Sequence, residues 1–354
     1  MRAIKKYTLF ILVLLSVAHF SYGSTESSSS SEEGEKKEKF NASEMIMHHI
    51  GDSHEWHFAT IGHTHLTIPL LVIIYDKETG GVEVFPSSKF VDETGHTNLK
   101  EGKYGNYTIH HDKIHPVNEN AHIYDLSITK NVTSMLISVV LLLSIFLYIG
   151  ARYKKNPLSA PKGIQSLFEV IVQYIIEEVA KPTLGDKYKR YLPYLLTVFF
   201  FIWFNNLLGL MPGGANLTGN IAVTMMLAVT TFIITTVSSK SYYWKHILWT
   251  PGVPHILRII ILPIEVIGIF TKPFALMIRL FANITAGHII ILSFIGLIFI
   301  FNSLGMAPLT VAFGLFMTFM ELFVAILQAY IFTLLSAMYI GSAIEVHDHS
   351  HDHH

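Results

Sequence analysis

Three ionisable residues lie inside long apolar stretches near the carboxyl end of the chain. Arg279 and His288 interrupt "FALMIRLFANITAGHIIILSF" (274–294), and Glu321 interrupts the apolar stretch 308–344. A charge at the centre of a bilayer costs about 3 to more than 10 kcal/mol, so such residues usually face a cavity or a partner and mark an ion path. Imidazole and carboxyl groups exchange protons, whereas a guanidinium stays charged. A structural salt bridge between Arg279 and Glu321 is the alternative.

Helical geometry assigns these groups to faces. Asn283 follows Arg279 by one turn and shares its face. His288 lies about half a turn away in angle, on the other side of the same helix. Gln328 shares a face with Glu321 on the last helix. A fixed cation on one side of a helix and a titratable imidazole on the other would suit a proton path that ends at a moving partner.

Composition indicates a membrane protein. The chain has 354 residues, of which 51% are hydrophobic and 14% charged, compared with about 25% charged residues in soluble domains. Because cysteine is absent, disulfides, thiolate catalysis and cysteine metal sites are excluded. The net charge of −1 argues against a nucleic-acid partner. No glycine-rich phosphate loop followed by lysine occurs, and no cofactor is expected.

Hydropathy predicts five membrane crossings. Residues 132–151, 191–211 and 220–237 are apolar and long enough to span. Between the first two, "PKGIQSLFEVIVQYIIEEVAKPTLG" (161–185) has the spacing of an amphipathic helix on the membrane surface. The last two crossings lie in 256–344.

Prolines shape the prediction for that last region. Pro263 and Pro273 are expected to break its start into a short kinked or re-entrant piece. The remaining helices, Pro273–Phe301 and Pro308–Ile344, would measure ~42 and ~55 Å at 1.5 Å per residue. Both exceed a hydrocarbon core of ~30 Å, so two steeply tilted helices are expected.

Four charged residues recur every seven positions, from Arg258 through Glu265 and Lys272 to Arg279. The predicted proline breaks argue against one helical stripe. Arg258 and Lys272 are expected near the membrane boundary, where snorkelling is cheap.

Loop charges predict the orientation. Positive charge collects in 152–190 and 238–258, whereas 212–219 and 301–308 carry none. The positive-inside rule places the first two in the cytoplasm. The amino terminus would then lie outside the inner membrane of a bacterium and the carboxyl terminus inside.

The organisation along the chain agrees with export. Residues 1–23 resemble a cleaved signal peptide, with an uncleaved anchor as the alternative. Residues 24–40 are predicted to be a disordered tether, and 41–130 a small periplasmic, histidine-rich β domain after a short helix near "SEMIMHHI". The membrane domain is expected at 131–345 and a histidine-rich cytoplasmic tail at 346–354. The fold class is therefore an all-α polytopic membrane protein with a small exported β-rich domain.

Histidine spacing in the β-rich region is compatible with a metal site. His54 and His57, and His63 and His65, are separated by distances that metal ligands can have. A histidine-rich polar surface is the alternative, since no carboxylate motif fixes a site.

Several motifs resemble a known family. "TKPFALMIRLFANITAGH" (271–288), "LQAYIFTLLSAMYIGSAIE" (327–345), "FNNLLGLMPG" (204–213) and the amphipathic segment at 161 look like membrane subunit a of F-type ATP synthases, in the expected order. The resemblance covers roughly residues 120–345.

The resemblance implies a proton-translocating stator subunit that is not an enzyme by itself. Arg279 would face the rotor ring of c subunits, with Gln328 packed near it and Asn283 one turn along. His288 and Glu321 match an acid–histidine pair of the outer half-channel, in the order found in mitochondrial relatives. Glu265 matches a carboxylate near the cytoplasmic exit. Implied partners are the c-ring, the b-subunit peripheral stalk, the rest of the F0F1 complex and the lipid membrane.

One departure concerns the entry path. Some relatives have aspartates between the second and third crossings, where this chain has Asn216, Thr218 and Asn220 as candidates to line a channel. A secondary transporter that binds an anionic substrate at Arg279 is the alternative function, although no inverted repeat relates the two halves.

Overall fold

The computed structural model describes residues 51–61, 64–78, 80–90, 100–101, 106–110, 113–118, 122–157, 160–211, 214–249, 254–301 and 307–344. The predicted signal peptide, tether, short helix and histidine-rich tail lie outside these residues. The described chain forms two compact units. The first contains residues up to Leu136 with Leu208–Ala215 and Ile289–Gly314, and the second contains Ile137–Leu207, Asn216–His288 and the residues from Leu315 onward.

Short antiparallel strands form the described part of the first unit before residue 126. They are arranged as a β1-β2 hairpin, a β4-β3-β8 sheet and a β5-β6-β7 sheet. Their bounds are β1 (Glu55–Ile61), β2 (Thr64–Pro69), β3 (Leu71–Asp76), β4 (Val82–Pro86), β5 (Lys100–Glu101), β6 (Asn106–His110), β7 (Lys113–Pro116) and β8 (Ile123–Asp125).

One small core joins the two three-stranded sheets. Alternation along β3 and β4 buries Val72, Ile74 and Phe85, as expected for strands with one face inward. These side chains pack with Phe90 after β4 and with Tyr107 of β6.

Eight helices follow in the described residues. They are α1 (Lys130–Lys155), α2 (Ile164–Tyr174), α3 (Lys181–Leu184), α4 (Tyr188–Gly209), α5 (Ile221–Ser238), α6 (Ser241–Leu248), α7 (His255–Phe301) and α8 (Ala307–Ile344). Five helical stretches are long and apolar enough to cross a membrane: Lys130–Lys155, Ile164–Gly209, Ile221–Ser238, Ile260–Phe294 and Pro308–Ile344. The predicted five crossings and the largely helical fold are confirmed at this level.

The segment predicted to lie on the membrane surface runs into the second crossing. A π-helical turn, Ile175–Ala180, connects α2 to α3. The chain then turns at Gly185, whose φ of +55° is a conformation that glycine adopts readily. On α2, Ile164, Leu167 and Val170 are exposed while Phe168 is buried, so this helix presents an apolar side outward.

The helix is not interrupted at Pro263 and Pro273, so the separate re-entrant piece predicted there is wrong. Both prolines lie inside α7, which is continuous over 47 residues. Prolines are tolerated in membrane helices because neighbouring groups and local adjustments satisfy the backbone carbonyls that they free. At 1.5 Å per residue α7 is ~70 Å long. The prolines therefore give no reason to reject a common stripe for Glu265, Lys272 and Arg279.

The second unit has a dense core that sets the orientation of α7. Phe199 and Phe200 of α4 pack in one cluster with Leu276 and Leu280 of α7 and with residues of α8. Leu276 and Leu280 are 1% and 0% exposed. They anchor one face of α7, and Arg279, about 80° around the helix from the centre of that face at 100° per residue, is exposed.

Candidate functional site

Arg279 lies on an exposed face of α7 whose neighbouring positions are mostly alanine. Ala275, Ala282 and Ala286 are exposed beside it, and Asn283 is exposed one turn along. Small residues let another helix approach closely. The guanidinium is therefore accessible to a partner that packs against this face.

Gln328 of α8 is buried and contacts α7 at Asn283, next to this face. Its side chain is 3% exposed, and its Oε1 accepts a hydrogen bond from Nδ2 of Asn283 at 3.3 Å. The structure thus brings together Asn283 and Gln328, and the two amides link α7 to α8 one helical turn from Arg279.

Glu321 packs against α7 at a different height. A Cβ atom added to Gly287 would overlap Oε1 of Glu321. That oxygen is buried and has no hydrogen-bond partner among the described residues. The next residue of α7, His288, is partly buried. The carboxyl group therefore lies beside the backbone that carries the predicted imidazole.

The alternative salt bridge is not present. Gly287 lies eight positions beyond Arg279, which corresponds to ~12 Å along a helix. Within the parts of the chain that the structure describes, no ion pair joins Arg279 to Glu321. The arginine and the carboxyl group occupy separate sites.

A buried polar cluster lies one turn from Glu321. Asn206, near the end of α4, is 4% exposed. Its Nδ2 donates to the backbone oxygen of Ala325 on α8 at 3.3 Å. Its Oδ1 accepts from the hydroxyl of Thr218 at 2.6 Å. Two adjacent asparagines in an apolar crossing are the sequence signal for this cluster, although the sequence alone assigns no role to Asn206.

The three neutral candidates for the entry path have distinct positions. Thr218 is 1% exposed and bonds Asn206. Asn216 caps a short 3-10 turn by accepting from the amide of Gly219 at 2.9 Å, while its Nδ2 is buried without a partner among the described residues. Asn220 caps α5 by accepting from the amide of Ala222 at 2.9 Å. Two of the three therefore satisfy backbone groups, Asn216 in the turn before α5 and Asn220 at the start of α5.

A hydroxyl network crosses the second unit. Tyr194 of α4 and Thr231 of α5 are hydrogen-bonded at 2.7 Å, and Thr231 lies 3.4 Å from the hydroxyl of Ser336 on α8. The sequence alone assigns no role to these residues. The repeated threonines of α5 at 224, 231 and 235 were the available signal, and all three are buried.

Toward the start of α7, a small cavity of ≈ 20 Å³ is bordered by α5, α6, α7 and α8. A cavity of this volume holds about one water molecule. Nζ of Lys272 lies 5.6 Å above the ring of Tyr339 at this cavity. Its polar lining consists of Thr231, Thr235, Thr236, Tyr243, Lys272 and Tyr339.

Glu265 lies close to the same region. It is partly buried. Burial and the charge of Glu265 raise the pKa of Tyr243, a residue of α6 that lines the cavity. Glu265, Tyr243 and Lys272 therefore form a second group of polar side chains on the arginine-bearing helix and its neighbours.

The structure describes the backbone of three of the four histidine candidates for a metal site. His54 is buried, and its Nε2 lies 3.1 Å from Oδ2 of Asp125. His57 and His65 lie on the paired strands β1 and β2, where their register partners are Thr67 and Thr60. His63 lies outside the described residues. Among those that are described, no group of three histidine or carboxylate side chains has a metal-binding arrangement.

The comparison with known families assigns the larger part of the chain to a family. Residues 132–341 match the family described as ATP synthase A chain. This chain belongs to that family. As a member of the ATP synthase A chain family, it is a multi-pass bacterial membrane subunit of the F0 sector that takes part in proton transport for ATP synthesis and carries no catalysis itself.

Three relatives illustrate the similarity. ATP synthase subunit a of Chloroherpeton thalassium is 48% identical over 65% of this chain and 71% of the relative. ATP synthase subunit a 2 of Chlorobaculum tepidum is 50% identical over 65% and 67%. ATP synthase subunit a 2 of Chlorobium luteolum is 51% identical over 62% and 66%.

A second match covers the strands. Residues 45–135 match a family described as "Domain of unknown function (DUF8433)". This match ends inside α1, so it includes the strands together with the first six residues of α1.

Proposed function

We propose that this chain is the proton-translocating stator subunit of a rotary F-type ATP synthase, in which Arg279 faces the c-ring between two half-channels. The open, alanine-lined face around Arg279 carries this proposal. A stator arginine must lie where a moving helix can pass closely, and small neighbours at 275, 282 and 286 allow that approach.

Protons enter beside His288 and Glu321. The carboxyl oxygen of Glu321 that lies against Gly287 has no fixed partner among the described residues, so it can accept a proton from water. Asn206 and Thr218, bonded at 2.6 Å one turn away, supply neutral polar groups that hold water without taking up the proton. The proton then passes to a carboxylate of the rotor.

Protons leave through the other group of polar residues. Glu265 accepts the proton from the rotor side, and the cavity at Lys272 and Tyr243 holds water on the way out. By the positive-inside rule this end faces the cytoplasm. The carboxyl terminus would lie on the same side, and the amino-terminal strands in the periplasm.

Charge energetics gives the arginine two roles. An ionised rotor carboxylate in a low-dielectric medium is stabilised by a nearby guanidinium. The same positive charge repels a proton that would pass directly between the half-channels. Each charge that moves through 100 mV is worth ~2.3 kcal/mol, so several rotor steps are needed for one ATP.

The remaining assignments follow from the same proposal. Residues 1–23 would be a signal peptide, 24–40 a tether, 41–130 the exported domain, 131–345 the membrane domain and 346–354 a cytoplasmic tail. The b-subunit stalk and the rest of F0F1 would be the fixed partners. Two steeply tilted helices would supply the surface for the rotor.

Replacement of Arg279 tests the proposal. Arg279→Gln should abolish proton-driven ATP synthesis in membrane vesicles, because no fixed cation would stabilise the ionised rotor carboxylate. Arg152→Gln is the matched control, since Arg152 lies at the end of α1 and contacts Tyr148 of its own helix. The proposal fails if the Arg279→Gln complex assembles and retains coupled synthesis.

A further inference from the structure

One face of the β4-β3-β8 sheet is apolar although it points away from the core. Leu71 is 41% exposed, Val82 and Val84 are each 57% exposed, and Leu126, just past β8, is 63% exposed. Register pairs Val82 with Tyr75 and Val84 with Ile73, so these side chains share the outward face. Tyr124 of β8 lies opposite Tyr75 and extends the face across the third strand.

The carboxylates of this sheet lie on the inward face. Glu83 and Asp76 are 8% and 4% exposed. Burial is the main cause that raises the pKa of Tyr107 in the core to about 12, and the negative charges of Glu83 and Asp76 add to it. Antiparallel sheets with one face toward water normally carry polar residues outside and apolar residues inside. The outward face of this sheet has the composition of a covered surface.

The chain itself brings this face to the membrane. Backbone bonds from Leu126 to Ile73 and from Ile128 to Leu71, each 2.9 Å long, extend the pairing of the third strand beyond β8. The first crossing, α1, begins at Lys130, two residues later. Two residues span at most ~7 Å at 3.3–3.6 Å each, so the edge of the face that includes Leu71 lies at the start of a membrane helix.

A second link limits the distance between the sheet and the membrane. Asp52 accepts bonds from the hydroxyl of Thr129 and the amide of Asn131, each at 3.0 Å. The amide of Lys130 bonds the carbonyl of Ser53 at 3.0 Å. The segment before β1 therefore caps α1, and the strands are attached to the start of this helix by two segments of chain, one before β1 and one after β8.

The aromatic pair on the face suits an interface between lipid and water. Tyr75 and Tyr124 are stacked with ring centroids 6.3 Å apart, and Tyr124 is 54% exposed. Tyrosine concentrates at membrane interfaces because its ring is apolar and its hydroxyl remains hydrated. Lys77 lies exposed just past Tyr75, where a cation can contact lipid phosphates.

We propose that the outward face of the β4-β3-β8 sheet rests on the lipid surface of the membrane next to the point where α1 enters. The apolar side chains lie at the boundary between headgroups and acyl chains, and the carboxylates are kept on the other side of the sheet. A protein partner on this face is the competing occupant that the experiment must distinguish.

A single fluorescent label tests the occupant, because the 354-residue chain contains no cysteine of its own. Val84→Cys places an environment-sensitive probe on the face. Lys113→Cys is the control, since Lys113 is exposed on β7 of the other three-stranded sheet. Both variants of the whole 354-residue chain are reconstituted in vesicles of phosphatidylethanolamine and phosphatidylglycerol, and Val82→Cys is measured in parallel in case Val84→Cys does not fold.

Quenching by iodide from water and by nitroxide-labelled lipid then gives the answer. We expect the nitroxide lipid to quench the Val84→Cys probe several-fold more strongly than the Lys113→Cys probe, and iodide to show the reverse order. Equal iodide quenching of the two probes would overturn the proposal. Protection from both quenchers would also overturn it, because protein rather than lipid would then cover the face.

Discussion

Glu321 of α8 packs so closely on Gly287 of α7 that a methyl group at position 287 would overlap its Oε1 atom. The absence of a side chain at 287 therefore makes room for a carboxyl group between two membrane helices. This contact fixes where the proposed entry path meets the arginine-bearing helix.

Gly287→Ala should displace the carboxyl group. Overpacking of this kind costs about 1–3 kcal/mol, and each 1.4 kcal/mol corresponds to about a tenfold change in an equilibrium constant. We expect proton-driven ATP synthesis and passive proton flux through F0 to fall by roughly tenfold, because Glu321 can no longer occupy its site. Proton flux is measured with a pH-sensitive dye in vesicles.

The matched control for this change is Gly268→Ala on the same helix. A Cβ at 268 meets no atom within 4 Å, and alanine stabilises a helix by up to about 1 kcal/mol relative to glycine. This variant should keep the parental flux. If both variants behave alike, the effect at 287 comes from the helix backbone and not from Glu321.

The amide pair Asn283–Gln328 predicts coupled mutational effects. A neutral hydrogen bond contributes about 0.5–1.5 kcal/mol net, and the 3.3 Å bond between these residues joins α7 to α8 near Arg279. Gln328→Ala should reduce coupled synthesis more than Asn283→Ala, because Gln328 is buried and Asn283 is exposed. Adding Asn283→Ala to Gln328→Ala should cause little further loss. If the two losses of coupled ATP synthesis were strictly additive, the hydrogen bond between Asn283 and Gln328 would make no contribution to function.

The Asn206–Thr218 bond predicts a difference between two small substitutions. Thr218→Val removes the hydroxyl that donates to Asn206 at 2.6 Å and leaves a buried acceptor unsatisfied, at a cost of about 1–3 kcal/mol. Thr218→Ser keeps the donor. We expect Thr218→Val to lower the thermal stability of the subunit and its proton flux, with Thr218→Ser close to the parent. Thr230→Val, on an exposed side of α5, is the control.

The sequence predicted the crossings better than their interruptions. Apolar length alone indicated five spans, because hydrocarbon forces long apolar segments into helices. The same rule explains the error at Pro263 and Pro273, since a proline break that holds in water does not hold in a membrane helix. Hydropathy carries no information about which helices pack together, so the contact of Glu321 with Gly287 was not predicted.

Residue type alone predicted the ionisable groups of the site, but not the neutral polar residues that pack around them. A charge inside an apolar stretch is conspicuous, as at Arg279 and Glu321. Neutral polar residues are common in membrane helices, and their importance depends on partners that are distant in sequence. Asn206, which bonds the carbonyl of Ala325 119 positions away, could be assigned a role only once its partners were known.

The pair His54–Asp125 predicts an acid-sensitive link between the strands and the chain that caps α1. Burial raises the pKa of Asp125, but hydrogen bonds from His54 and Ser127 outweigh it and lower the pKa from 3.8 to about 2. Because the pKa of Asp125 is lower in the folded protein than in the unfolded chain, its ionised form stabilises the fold at pH values above the unfolded-state pKa. This stabilisation is lost as pH falls from about 3.8 through about 2. Because Asp125 is partly exposed, solvent screening limits the contribution to about 1 kcal/mol.

Asp125→Asn should therefore weaken the link at neutral pH and make it insensitive to acid. Hydrogen exchange at pH 7 should be faster in the variant over residues 51–57 and 123–130, and limited digestion with pepsin should show parent and variant converging as pH falls toward 2. Asp186→Asn, which changes an exposed carboxylate in the turn before α4, should leave both measurements unchanged. If the difference in digestion rate between parent and Asp125→Asn stayed constant across this pH range, the ionised form of Asp125 would not be what supports the link. Protonation of an ionised carboxylate weakens its hydrogen bonds, so a link that depended on the ionised form would weaken in the parent as pH falls.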